Sequence, residues 1–482
     1  MQGLLRSVRR LTLAARVVLA GIGALAVVLG YGQEQAPERS RFSAEEVRGD
    51  LRYLYTTLEG THVDLFVNIP RKRFDEVLRS MSDGLTDSLS YIEAHRLFQQ
   101  FTSLSGLAHC NAGYPFERAY GPFIAAGGSL FPLDVRVEDR RMWVDRNHVP
   151  GSSIKAADEV ITIDGVPVAQ KLDPVYAYLS GENEQFKNTL IDLLSFPRIW
   201  WLLRGPVDHV AVGVRRPDGT VISEHMPAVS AAAYEEQAAQ APSVFNSERS
   251  FSFMGSVAYL RPGPFEGRPD NDSTGVLDLI PFIDSCFAAI KANGTDRLLI
   301  DLRGNAGGAN TYSDAIVAWF ADRPFWFCSK FVVRTSAITK RAWTDVTDPD
   351  LQPLRDLILN HADGELFEAP IGSCAPKPAP LRFKGKVFVL VDRYSYSNAV
   401  TTAAMIQDYG FGELVGEPTA DVPTTYAAVH DFRLPITSAV ITYPKAYMVR
   451  PNGDRSLDVV TPDHLVPHGE DALRFALRLA EN

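Results

Sequence analysis

At 482 residues the chain is too long for one ordinary core, so two or three domains are expected. Hydrophobic residues make up 46% and charged residues 22%, the balance of an ordinary soluble globular protein. The formal net charge of -10 argues against a general nucleic-acid binder, which needs a basic face for the phosphate backbone.

Residues 1–32 stand apart. Arg6, Arg9, Arg10 and Arg16 precede an apolar run, Val17 to Leu29, and then the small residues Gly30 and Gly32. That is the layout of a secretory signal peptide, so an exported, periplasmic or secreted protein is expected. The apolar run is short for a membrane span; an uncleaved N-terminal anchor is the alternative. The four cysteines, Cys110, Cys286, Cys328 and Cys374, follow no zinc-ligand spacing. An oxidising compartment permits a disulfide, with Cys328–Cys374 the first pairing to consider and buried free thiols the alternative.

Residues 41–118 read as an N-terminal helical domain. Ser43 and Glu46 form a capping-box signature, and Val47, Leu51, Leu54, Tyr55 and Leu58 recur at helical spacing. "RKRFDEVLRSMSDGL" and "SYIEAHRLFQQFTSLSG" predict two further amphipathic helices. Residues 121–227 turn to strands and turns. "GSSIKAADEVITIDGVPVAQKL" resembles the PDZ pattern through Asp158, Ile161, Ile163, Gly165 and Val168, with Asp164 as a turn former. PDZ domains add an extended peptide to a sheet edge. The alternative is a β-rich connecting domain that binds nothing. The insertion "YLSGENEQFKNTLIDLLSFPRIWWLLRG" is long for such a domain and is expected to cover the groove. Residues 228–250, rich in Ala, Ser and Gln, read as a linker. In 251–482, short apolar strands alternate with helical segments, which predicts an α/β core with buried strands.

Within that core the strand "KVFVLV" leads to Ser395 and Ser397, and a helix-like segment begins at Asn398. A strand that delivers a serine to a helix start sets the hydroxyl beside unpaired amides and the positive end of a helix dipole. This suits a nucleophile, although a plain N-cap is the simpler role. A second strand–turn–helix, "LLIDLRGNAGGANTYSDA", carries Gly304, Gly307 and Gly308, whose backbone amides can face an oxyanion closely. No G-x-G-x-x-G or G-K-[ST] pattern supports phosphate binding instead. Asp301 and Arg303 are expected to brace the strand end as an ion pair; anchoring a substrate carboxylate is the other role open to Arg303.

"LLIDLRGNAGG", "VFVLVDRYSYSNAVTTAAMIQDYGFGELVGEPT", "FRLP" and "RPNGDRSLDVVTPDHLV", in this order, resemble the C-terminal processing peptidase superfamily. It includes the tail-specific proteases, the tricorn core protease and the interphotoreceptor retinoid-binding proteins. The resemblance spans most of Gly255 to Val466. It implies a multidomain α+β fold of mixed α/β class: a crotonase-like ββα core with a PDZ-like β domain and an N-terminal helical domain. It implies a serine peptidase acting on a polypeptide substrate, with no metal or cofactor. Counting back from "QDYG" carries the family nucleophile onto Ser397. The amide of Asn398 and that of Gly307 or Gly308 become the oxyanion donors; Asp408 matches an acidic position of tail-specific members, with a structural helix-end charge its favoured role.

The chain departs from the tail-specific pattern. Val422 stands where the lysine base would be, and Val400 where a glutamate is usual three residues after the nucleophile. A histidine base is expected instead, as in tricorn-like members. His109 in "SLSGLAHCNAGYP" lies at the matching place, although Leu107 and Cys110 replace the usual flanking residues; His430 is its competitor. For the orienting carboxylate, Asp454 and Asp458 lie near the family position, which is itself Ser456; Asp458 is favoured, and Asp463 is expected to cap structure. The expected function is an exported serine peptidase hydrolysing extended, C-terminal polypeptide segments. The rival is a catalytically silent peptide- or lipid-binding protein on the same scaffold, and a third reading is a hydrolase of non-peptide esters or amides.

Overall fold

The computed structural model describes residues 39–240, 244–245, 248–266, 278–347 and 351–481; residues 1–32, read above as a signal peptide, lie outside them. The chain divides into two compact units. One holds the residues up to 242 and Val429–Pro444, the other residues 243–428 and Lys445 onward.

In the first unit, helix α1 (Ala44–Thr61) starts on the expected capping box, with Ser43 and Glu46 bonding each other reciprocally. Its apolar stripe Val47, Leu51, Leu54, Tyr55 and Leu58 is buried, packed against α2 (Arg71–Asp83) and α3 (Tyr91–Ser103). The short strand β1 (Asn111–Ala112) pairs with Ile441 and Thr442. An antiparallel sheet follows, built from β2 (Leu133–Glu138), β3 (Arg141–Asn147) and β4 (Glu159–Ile163). The chain then leaves it through α4 (Val168–Tyr178), α5 (Glu184–Leu194) and α6 (Phe196–Arg204). It returns as β5 (His209–Arg215) and β6 (Val221–Pro227). Asp164 and Gly165, with φ of 51° and 72°, make the left-handed pair of a tight hairpin turn. Asp164 Oδ1 also accepts the Ala211 amide at 3.0 Å, which fits its expected role. Helix α5 packs along the edge strand β2. Within the segment read as a linker, residues 231–240 form helix α7, which buries Tyr234 and Glu235.

The second unit is built on a six-stranded sheet. Its order is β7 (Ser250–Met254), β8 (Val257–Arg261), β9 (Arg297–Asp301), β10 (Lys386–Val391), β11 (Glu413–Gly416) and β12 (His464–Leu465). β7 and β8 pair antiparallel, and the remaining neighbours are parallel. The run "KVFVLV" is apolar at nearly every position because both of its faces are covered. Val387, Val389 and Val391 pack with α8 (Leu279–Asn293), α9 (Asn310–Val317) and α10 (Asn398–Tyr409). Phe388 and Leu390 face α11 (Ala472–Glu481) through Ala476 and Ala480. Each such large side chain contributes ~1.5–3 kcal/mol of burial. The parallel order aligns the C-terminal ends of β9 and β10, so the loops leaving them meet.

The Cys328–Cys374 disulfide is not formed: all four cysteines are free thiols. Cys374 pairs through its backbone with Phe325, not with Cys328, and its Sγ faces the carbonyls of Asp314 and Ala375. Among the described residues, no helix is long and apolar enough to cross a membrane.

Candidate active site

Where β10 ends, Asp392 Oδ1 gathers the amides of Gly304 (3.1 Å) and Tyr394 (3.0 Å), tying the β9 and β10 loops together. Ser395 is fully buried. Its Oγ donates to the Leu302 carbonyl at 2.9 Å and accepts the Asp392 amide at 3.1 Å. It is a structural rivet.

Ser397 differs in every respect. It is half-buried, and its φ of 52° and ψ of -122° lie in a region that non-glycine residues rarely adopt. It stands at the N-cap position of α10, yet its side chain makes no capping hydrogen bond. Its carbonyl accepts from Val400 (3.0 Å) and Thr401 (3.2 Å), and its amide donates to Asp421 Oδ2 at 2.7 Å. The backbone is therefore held and the hydroxyl is left over for chemistry.

Gly307 lies against this turn. A Cβ on it would fall 2.7 Å from the Asn398 nitrogen and the Tyr396 oxygen, and 3.0 Å from Ser397 Cβ. Its own amide is committed to Asn305 Oδ1 at 2.8 Å, while its carbonyl accepts from Phe265 at 2.7 Å. Gly308 has no room for a side chain either, since a Cβ would fall 2.2 Å from the Phe265 oxygen. Its amide finds no backbone acceptor among the described residues. The amide of Asn398 belongs to the first turn of α10, where no intrahelical acceptor exists. The Asn398 side chain is occupied, donating to Ser313 Oγ at 3.0 Å.

The remaining motif residues divide into those held by structure and those outside this unit. Asp301 is buried and accepts from Arg303 Nη2 (2.8 Å), Arg261 Nη2 (3.0 Å) and the Tyr259 hydroxyl (2.7 Å). Burial works to raise the Asp301 pKa, but Arg303, Arg261 and the Tyr259 hydroxyl together outweigh it and hold the group below its usual range. Asp408 is clamped by Arg450 at 2.6 Å, and Asp463 accepts the Leu414 amide at 2.8 Å; both serve structure as expected. Asp454 caps the turn at Ser456, whereas Asp458 is exposed. Val422 and Val400 are buried where the family's polar partners would be. His109 is buried in the turn before β1, in the first unit, to which His430 also belongs.

Two residues escaped the sequence reading. Asp421, in "GEPTADVP", had no motif to mark it beyond adjacency to the missing lysine. Glu182, in the insertion, accepts the Ala108 amide at 3.0 Å and so lies next to the His109 turn; nothing in the sequence signalled this. Among the described residues, no group of His, Cys, Asp or Glu could hold a metal ion.

Ser397 thus combines a strained strand-to-helix backbone with a side chain that makes no capping bond, against Gly307 and the first turn of α10. Residues 275–466 match the description of peptidase family S41. Mature CPAF complexed with lactacystin is similar in fold, with a TM-score of 0.61 and 15% identity, over 88% of this chain and 93% of that one. Mature CPAF alone gives a TM-score of 0.59 and 16% identity over the same shares, 88% and 93%. Residues 275–466 thus resemble peptidase family S41 of the C-terminal processing peptidase superfamily, and the protein is a serine-type peptidase.

Proposed function

We propose that the protein is an exported peptidase that cleaves extended polypeptide segments near their C-termini through an acyl-enzyme on Ser397. Ser397 Oγ attacks the peptide carbonyl, and its proton passes to His109. The tetrahedral oxyanion is held by the amides of Asn398 and Gly308, in preference to Gly307, whose amide Asn305 already takes. His109 then returns the proton to the leaving amine, and water hydrolyses the ester. The crotonase-like core supplies the serine and the oxyanion loop; the PDZ-like domain belongs to the unit that carries His109. Asp458 is the favoured carboxylate near the family position, which is itself Ser456. The exposure of Asp458 argues for a small contribution; Glu182, which accepts the amide of Ala108, the residue before His109, is the alternative carboxylate.

The observation that carries this reading is the free hydroxyl of Ser397 against Gly307 and Asn398. A fluorophosphonate probe tests it on the full chain. Labelling that disappears in Ser397→Ala is expected; a folded protein that never labels is instead a binding protein on this scaffold. Digestion of a peptide library, with mapping of cut positions from the C-terminus, then separates a tail-directed peptidase from an esterase.

A further inference from the structure

We infer that Asp421 is a positioning residue for the reaction at Ser397: its carboxylate holds the nucleophile's strained backbone in the reactive turn. The inference rests on the proposed acyl transfer at Ser397. Asp421 Oδ2 accepts the Ser397 amide at 2.7 Å, and Oδ1 accepts the Val422 amide at 2.8 Å. On the other side of the Tyr396–Ser397 peptide, the Tyr396 carbonyl accepts from Ala399 at 3.0 Å. The plane preceding the nucleophile is thus gripped at both polar ends. That grip offsets the cost of a non-glycine residue at φ 52°, a conformation that persists only where its surroundings impose it.

The support beneath Asp421 is rigid. Thr419, Ala420, Asp421 and Val422 are all buried. Thr419 Oγ1 donates to the Asp421 carbonyl at 2.8 Å and accepts the Val460 amide at 3.0 Å, and the Thr419 amide donates to the Val460 carbonyl at 3.1 Å. The residue type matters as well. Two N–H groups face the side chain, and only a carboxylate presents two acceptor oxygens to them. An asparagine would turn an NH₂ toward one of the two donors. Freed from this grip, the Ser397 peptide relaxes, the hydroxyl leaves its line of attack and the Asn398 amide turns from the oxyanion position. A displacement of this order costs about a hundredfold in rate without touching substrate contacts.

Fluorophosphonate inactivation of the full-length protein tests the inference, because it separates binding of the probe from bond formation. In that step the Ser397 Oγ–P bond forms, the P–F bond breaks, fluoride leaves and the serine proton passes to the base. Asp421→Asn should lower the limiting inactivation rate about a hundredfold and leave the half-saturating probe concentration within about threefold. Every folded molecule should still label at long times, whereas a merely structural role would reduce the labelled fraction. Asp421→Ser, whose hydroxyl can accept from one amide, should give the same split at a smaller loss and covers the case in which the asparagine variant does not fold. Equal limiting rates in wild type and variant overturn this inference alone. Loss of folding in both variants also overturns it, since the carboxylate would then serve the fold. A folded wild type that never labels overturns the proposed function together with it.

Discussion

Gly307 sits so close to the start of α10 that a Cβ on it would fall 2.7 Å from the Asn398 nitrogen. The same Cβ would meet the Tyr396 oxygen at 2.7 Å, and Gly307 has a φ of 84°. Gly307→Ala therefore forces the oxyanion loop and the nucleophile turn apart. Destabilisation of about 1–3 kcal/mol is expected from overpacking and backbone strain. Labelling by fluorophosphonate should fall by a factor of about a hundred or more, from displacement of the donors. Denaturant unfolding and labelling kinetics measure the two effects separately; a variant with wild-type labelling would mean that the close approach has no part in catalysis.

The two serines of the turn should respond in opposite ways. Ser397→Ala removes a hydroxyl with no capping bond, so stability should stay within about 0.5 kcal/mol while labelling is lost. Ser395→Ala strips the buried Leu302 carbonyl of a donor and the Asp392 amide of an acceptor, costing about 1–3 kcal/mol. The protein that remains folded should still label. Reversed outcomes would move the nucleophile to Ser395.

How much of this was legible depends on the range of the contact that fixes each feature. The apolar face of α1 follows from spacing within one helix, and all five residues read from it are buried. The turn at Asp164 is likewise local. The choice between Gly307 and Gly308 is not, because it depends on which amide the Asn305 side chain takes. Asp421 reaches Ser397 across 24 residues, and Glu182 reaches Ala108 across 74; no periodicity encodes such pairs. The disulfide expectation failed for a related reason. Whether Cys374 meets Cys328 is decided by the backbone register with Phe325, which spacing in the chain does not reveal.

His109 and His430 make separable predictions for the proton acceptor. With Val422 buried at the lysine position, no amine is available there. If His109 is the base, His109→Ala should slow labelling by roughly 10²–10⁴-fold, the range of general-base catalysis. His430→Ala should stay within a few-fold of wild type. The opposite ranking would transfer the role to His430, and two silent variants would sink the histidine-base mechanism.

The cysteines give a test of the free-thiol state. Burial pushes the Cys110, Cys286 and Cys328 thiols up to about 12, and Cys374 to about 11. Thiolate is therefore scarce at neutral pH, and the native protein should react slowly with iodoacetamide. Unfolding without reductant should expose four titratable thiols. A count of two would restore a disulfide.

Asp392 should make stability depend on pH in an unusual direction for an aspartate. Burial pushes its carboxyl up to about 6 from an ordinary 3.8; the nearby Glu417 charge adds to this, while the Gly304 amide and Arg303 oppose it. The native state thus binds this proton more tightly than the unfolded chain. Its stabilising contribution is complete below pH ~4 and is lost as pH rises through about 6. Asp392→Asn keeps a carbonyl for the Gly304 and Tyr394 amides and carries no charge at any pH. It should match wild type near pH ~4 and exceed it by about 1–3 kcal/mol at pH ~7. Paired urea titrations across that interval measure the gap, and a gap that does not widen with pH would show that Asp392 is already charged in the native turn at low pH.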